Sequence, residues 1–361
     1  MPTAPPKRPQ GLRRLRHGLA LSALCLATAS PGVTILDSTW RAEGGRRGDV
    51  ERGFRAHMAL AAQPPFRGVL ALSTDGESWG EASGTWIGND ARHAYILTAG
   101  HVFELPAQAD EYRVRGPRGE VWRPDRVWVH PQWNGEVDSR AGYDLAILRL
   151  PFPVEGLGPA PVLYTGRAEA GQLITFVGYG TRGTGTTGEN EKVDTRGTAA
   201  AAQGVVDEWV DLKRKVDRPS HDRGNTLGVF MPKEDGSIEN PYGGSSRPVT
   251  RLVGLLGSGD SGGSAWMETE EGWVLVGVNS NGDGDAGYGD SSWFTRVSPH
   301  QGWVRGIFPG ARFSGAPPLK GGGRFAQGSG GGTGSAPVPA SPSPASRPPK
   351  RPIMVGDPVT D

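Results

Sequence analysis

Between Phe66 and Phe308 short apolar runs alternate with turns rich in glycine, asparagine and aspartate. The runs include Gly68–Ser73, Gly84–Gly88, Ala94–Thr98, Arg126–His130, Leu145–Leu150, Leu173–Val177 and Trp273–Val278. Valine, leucine, isoleucine and tryptophan dominate them, and their length and spacing predict the strands of an all-β barrel or sandwich. A helical period is confined to two short stretches, 205–215 and 299–308. Residues 30–65 are charged and irregular, as in Arg46-Arg47-Gly-Asp-Val-Glu-Arg52, and read as a pro-segment or N-terminal extension. Beyond Gly310 glycine, proline and serine take over. A segment of that composition has little apolar surface to bury, so residues 311–361 are predicted to be a disordered tail.

The first residues change the picture of where the chain works. Lys7, Arg8, Arg13, Arg14 and Arg16 precede the apolar run Leu19–Ala27, and Ala27-Thr28-Ala29 follows as a small-residue cleavage site. Residues 1–29 are therefore predicted to be a signal peptide, which places the mature protein outside the cytoplasm, secreted or periplasmic. The run is too short to cross a hydrocarbon core of about 30 Å, so no membrane span is expected. The single cysteine, Cys25, lies inside it, and the mature chain should hold itself together without disulfides. Cleavage would take five basic and no acidic residues from a chain with 39 Lys+Arg and 38 Asp+Glu, and the tail is itself basic. The remaining body is acidic, which argues against nucleic acid as a partner.

Three segments carry candidate chemistry: Leu97-Thr-Ala-Gly-His101-Val, Tyr143-Asp144-Leu-Ala-Ile-Leu148 and Gly257-Ser-Gly-Asp-Ser261-Gly-Gly-Ser264. A serine hydroxyl is too weakly acidic to attack an amide unaided. It needs an imidazole to take its proton, and the imidazole needs a buried carboxylate to fix its tautomer. Ser261, His101 and Asp144 can fill these roles in that order. A tight turn at Gly259-Asp260-Ser261 can aim the N–H groups of Gly259 and Ser261 at one point, as an oxyanion hole.

These motifs closely resemble those of the trypsin-like (chymotrypsin-fold) serine peptidases of the bacterial secreted type, over about Phe66–Phe308. The resemblance implies two six-stranded antiparallel β-barrels with a short C-terminal helix, and a serine endopeptidase that acts on protein or peptide substrates as a monomer, with no cofactor and no metal. Val129-His130-Pro-Gln-Trp133 resembles the segment before the aspartate motif, which makes His130 structural. Gly277-Val-Asn-Ser280-Asn-Gly282 is similar to the strand that pairs with substrate, so Ser280 and Gly282 are substrate-binding candidates. By the same likeness Leu255 is the base of the specificity pocket and Ser292 a wall; a leucine base favours an apolar or small side chain, whereas Asp283, Asp285 and Asp290 in the adjoining loop could draw a basic one. Residues 181–248 are longer than the pattern and read as a surface insertion. The resemblance also implies a freed N-terminal ammonium paired with Asp260, for which Val33, Ile35 and Val50 are the candidate donors.

Other readings stay open. The loop Asn281–Asp290, with Asp283, Asp285 and Asp290, offers oxygen ligands for calcium but lacks the closing glutamate of an EF-hand, and a solvated turn is the favoured reading. Gly259-x-Ser261-x-Gly263 fits the nucleophile elbow of an α/β-hydrolase-type esterase, with Asp290 and His300 completing a triad. A catalytically silent, protease-like binding module is the third alternative.

Overall fold

The computed structural model describes residues 32–135, 142–190, 193, 197–210 and 224–319. Residues 1–29, read as a signal peptide, and the part of the predicted tail beyond Leu319 lie outside these residues.

Strand β1 (Gly32–Ile35) and helices α1 (Asp37–Ala42) and α2 (Arg55–Ala61) precede the first sheet. That sheet contains β2 (Val69–Ser73), β3 (Ala82–Asn89), β4 (Ala94–Thr98), β5 (Arg113–Arg115), β6 (Val121–Trp122), β7 (Arg126–Val129) and β8 (Ala146–Leu150). Its order is β6-β5-β2-β3-β4-β8-β7, antiparallel throughout. Successive side chains on a strand face opposite sides. In β4, Tyr95 and Leu97 enter one apolar cluster and Ile96 another, and next to it Ile147 and Leu148 divide the same way. Both faces are covered, and so these strands read in sequence as unbroken apolar runs.

The rest of the chain supplies β9 (Val162–Tyr164), β10 (Leu173–Gly178), β11 (Gly180–Thr184), β12 (Gly188–Glu189), β13 (Ala200–Val205), β14 (Glu208–Val210), β15 (Thr226–Phe230), β16 (Gly254–Leu255), β17 (Ser264–Thr269), β18 (Gly272–Gly282) and β19 (Ser291–Arg296). Helix α3 (Gln301–Ile307) and β20 (Arg312–Ser314) close it. The second large sheet runs β13-β10-β17-β18-β19-β15-β14, with β9 against β18 and β20 against β9. A four-stranded sheet, β12-β11-β1-β16, flanks it. This is an all-β, chymotrypsin-like fold with the expected short C-terminal helix. No helix among the described residues is long and apolar enough to cross a membrane.

Four regions differ from their reading in sequence. From Gly32 onward the segment read as a pro-segment or extension is part of the domain. Val33, Ile35, Leu36 and Phe54 are buried in the larger core cluster, but a four-residue strand and helices of two turns or fewer are too short to show a period. The helix read over 205–215 is replaced, as far as it is described, by the end of β13 and by β14, in keeping with the β-branched and aromatic residues Val205, Val206, Trp209 and Val210. Residues 181–248 contain β11 to β15, so much of that stretch belongs to the sheets. Order also continues past Gly310. Strand β20 pairs with β9, Arg305 lies 4.6 Å over the Phe313 ring, and Glu270 donates to the Pro317 carbonyl.

Candidate active site

Strands β4 and β8 are antiparallel neighbours, with Thr98 opposite Ala146. His101 follows β4 on a single 3₁₀ turn and Asp144 comes just before β8, so this pairing brings the two together. Asp144 is fully buried; one carboxylate oxygen accepts from the His101 backbone N–H and the other from His101 Nδ1, both at 2.7 Å. His101 Nε2 lies 2.7 Å from Ser261 Oγ, on the turn that leads into β17. Burial disfavours the imidazolium, but the Asp144 charge and hydrogen bond outweigh it and hold the His101 pKa above its ordinary value. Burial likewise pushes the Asp144 carboxyl up, and the His101 interactions more than offset it, leaving its pKa below the ordinary value.

Ser280 has a part that its sequence context did not disclose. Its hydroxyl donates to Asp144 Oδ2 at 2.5 Å and so fixes the carboxylate, although it also lines the adjacent cavity.

The turn before β17 is held on every side. Thr181 N–H and Oγ1 donate to the Ser258 carbonyl at 2.6 and 3.0 Å, and Ser83 Oγ donates to the Gly259 carbonyl at 3.0 Å. The buried Asp260 carboxylate accepts from the N–H groups of Gly180 and Gly257 at 2.8 and 2.9 Å. Burial pushes this carboxyl up to about 7 against the pull of those two bonds. The N–H groups of Gly259 and Ser261 donate to no protein acceptor among the described residues. Gly259 has φ +87°, which favours glycine, and a Cβ on Gly262 (φ +82°) would sit 2.0 Å from Thr98 Oγ1. The expected N-terminal donors are placed otherwise. Val33 and Ile35 are inside β1, Val50 precedes a 3₁₀ turn, and both Asp260 oxygens are engaged by backbone N–H groups.

A cavity of about 270 Å³ opens beside Ser261 and His101. Gly282 and Ser280 line it as expected, whereas Leu255 and Ser292 do not. Leu255 is in the core on β16, and Leu256, which follows that strand and packs in the same cluster, is the one that reaches the cavity wall. Ser292 is buried behind that wall, its Oγ accepting from Leu256 N–H at 3.0 Å. Glu189, delivered by the β11–β12 hairpin, was not legible as a site residue. It lines the cavity and accepts from Ser258 N–H at 3.0 Å. Asp283 lies on the same lining. A larger cavity of about 460 Å³, between α2 and Tyr179, contains no residue of the triad.

The other candidate arrangements are not assembled. His300 Nε2 is 2.7 Å from the Gly142 carbonyl, Asp290 accepts from Gly287 N–H, and a strand rather than a helix follows Ser261. His130 packs against Tyr143, His300 and Trp303. Asp283 accepts from Ser291 N–H, and no group of three acidic, histidine or cysteine residues that could hold a metal occurs among the described residues.

A family model described as the trypsin-like peptidase domain matches residues 82–278, a span that includes His101, Asp144 and Ser261. No curated protein matches the chain.

Proposed function

Because the chain belongs to the trypsin-like peptidase domain family, and is thus a peptidase-type hydrolase, we propose that it is a secreted serine endopeptidase using Ser261, His101 and Asp144. The observation that carries this reading is the continuous chain Asp144–His101–Ser261, with both links at 2.7 Å. Ser261 Oγ attacks the scissile carbonyl carbon while its proton passes to His101 Nε2. The N–H groups of Gly259 and Ser261 receive the oxyanion of the tetrahedral intermediate. Collapse breaks the C–N bond, the imidazolium gives its proton to the leaving amine, and an acyl ester remains on Ser261. Water, deprotonated by the same imidazole, attacks the ester, and the imidazolium returns that proton to Ser261 Oγ as the acid leaves. The chain works as a monomer after removal of residues 1–29.

The raised His101 pKa fixes the expected pH dependence. Only neutral imidazole accepts the serine proton, so kcat/KM should fall as pH decreases through the titration of His101, with a midpoint above the ordinary value of about 6.5. A pH–rate series with a peptide anilide checks this. A flat profile between pH 5 and 8, or a midpoint below 6, would remove His101 from the base role.

The pocket favours a basic side chain next to the scissile bond. Leu255 is not available as an apolar base, Glu189 and Asp283 contribute carboxylates, and the lining contains no lysine or arginine. Unlike charges a few ångströms apart in a half-buried pocket attract by ~1–4 kcal/mol, so arginine or lysine substrates should exceed leucine ones by at least about tenfold in kcat/KM. Parallel assays of such peptides, repeated with Glu189→Gln, test this. A leucine preference in the unaltered protein would restore the apolar reading.

A further inference from the structure

Strand β1 sits between the two strands from which the turn at Gly257–Ser261 is hung. On one side it is parallel to β11, with Gly32 opposite both Gly180 and Thr181, and Thr34 opposite Gly183. On the other it is antiparallel to β16, pairing Thr34 with Leu255 and Ile35 with Gly254. Strand β11 opens with Gly180 and Thr181, the residues whose N–H groups hold the Asp260 carboxylate and the Ser258 carbonyl. Strand β16 runs through Leu256 into Gly257, whose N–H holds the other Asp260 oxygen.

The contact between β11 and the turn leaves no slack. A Cβ built on Gly180 would lie 2.1 Å from Asp260 N and 2.5 Å from the Ser258 carbonyl oxygen. Strand β1 is held just as firmly. Val33, opposite this region, has φ +117°, a conformation unfavourable to a β-branched residue, and its side chain is fully buried. Such an outlier persists only where its surroundings over-determine it, and these outliers gather at functional sites.

We propose that β1 is a positioning strap for the oxyanion hole, setting the spacing of β11 and β16 so that Gly259 N–H faces the substrate. The inference rests on the reading of Ser261 as nucleophile. In a trans peptide the N–H and C=O point in opposite directions. While Thr181 holds the Ser258 carbonyl, the N–H of Gly259 must therefore face the other way, into the hole. If β11 withdraws, that peptide is free to turn over and the hole loses a donor, a change that typically costs ~10²–10³ in rate. The hole is formed in the uncut chain, and processing that exposes Val33 or Ile35 as a new N-terminus would cut through the strap instead of completing the site.

The test uses the full chain with Val33→Gly, because glycine accepts the positive φ while losing the buried side chain that anchors the strand. We expect kcat to fall about 10- to 100-fold with KM within twofold and the pH midpoint of His101 unchanged, since His101 and Asp144 flank strands of the other sheet. Gly180→Ala, which drives a methyl group into the turn, should give the same signature with a larger loss. Should Val33→Gly fail to fold, Val33→Ala is read on the same scale. Wild-type kcat in the folded Val33 variants, or a shift of KM and of the His101 midpoint along with kcat, would overturn the strap. Failure of the unaltered protein to cleave any peptide would instead overturn the peptidase reading beneath it.

Discussion

Replacing Ser261 with alanine is expected to lower kcat by about 10⁶, because members of a triad act as a unit and loss of the nucleophile removes the acyl-enzyme route. The residual rate should still exceed that of water, since the oxyanion donors, Gly259 N–H and the backbone N–H of residue 261, survive the change. Folding should be nearly unaffected. Ser261 is half-buried, and the hydrogen bond that its hydroxyl makes is to His101. The melting temperature should thus stay close to that of the unaltered protein, as for substitutions that create neither a cavity nor an unpaired buried group. Steady-state hydrolysis of a peptide anilide, with melting recorded on the same preparation, checks both halves. Activity above about one per cent in a folded Ser261→Ala protein would assign the nucleophile elsewhere.

The second large effect is expected at Asp144. Its two oxygens accept from the His101 N–H, from Nδ1 of the same residue and from the Ser280 hydroxyl, and its side chain is fully out of solvent. Asparagine has the same shape but one oxygen in place of two, and its NH₂ group cannot accept from Nδ1–H. The imidazole is then driven to the tautomer with the proton on Nε2, the atom that must take the serine proton. A loss of about 10⁴ in kcat at neutral pH is expected, with KM little changed. Kinetics of Asp144→Asn from pH 6 to 10 measure it, and activity within tenfold of wild type would show that another group orients His101.

His101 and Asp144 were legible in sequence because each stands beside a strand that is apolar on both faces. Strands β4 and β8 gave long apolar runs, and the residues at their ends, His101 and Asp144, are neighbours because Thr98 pairs with Ala146. Ser261 stood out through its glycines, whose backbone geometry tolerates little else at 259 and 262. The pocket was not legible to the same degree. Leu255 and Leu256 differ by one position and share one core cluster, and it is only where β16 ends that decides which of them reaches the cavity. Glu189 reaches the site only through the β11–β12 hairpin, inside a stretch that read as an insertion, and no local pattern marks it. Strand β1 escaped notice for a different reason. Four residues, Gly32–Ile35, are too few to show alternation.

The most direct measurement is covalent labelling of the protein with a fluorophosphonate, followed by intact-mass and peptide-mass analysis. A serine made nucleophilic by His101 and faced by the Gly259 and Ser261 N–H groups should take up one phosphonyl group per chain, on Ser261. Uptake should slow as pH falls through the His101 titration and vanish in the Ser261→Ala protein. No adduct on a folded chain, or an adduct on any other residue, would contradict the assignment of Ser261, His101 and Asp144 as a working triad.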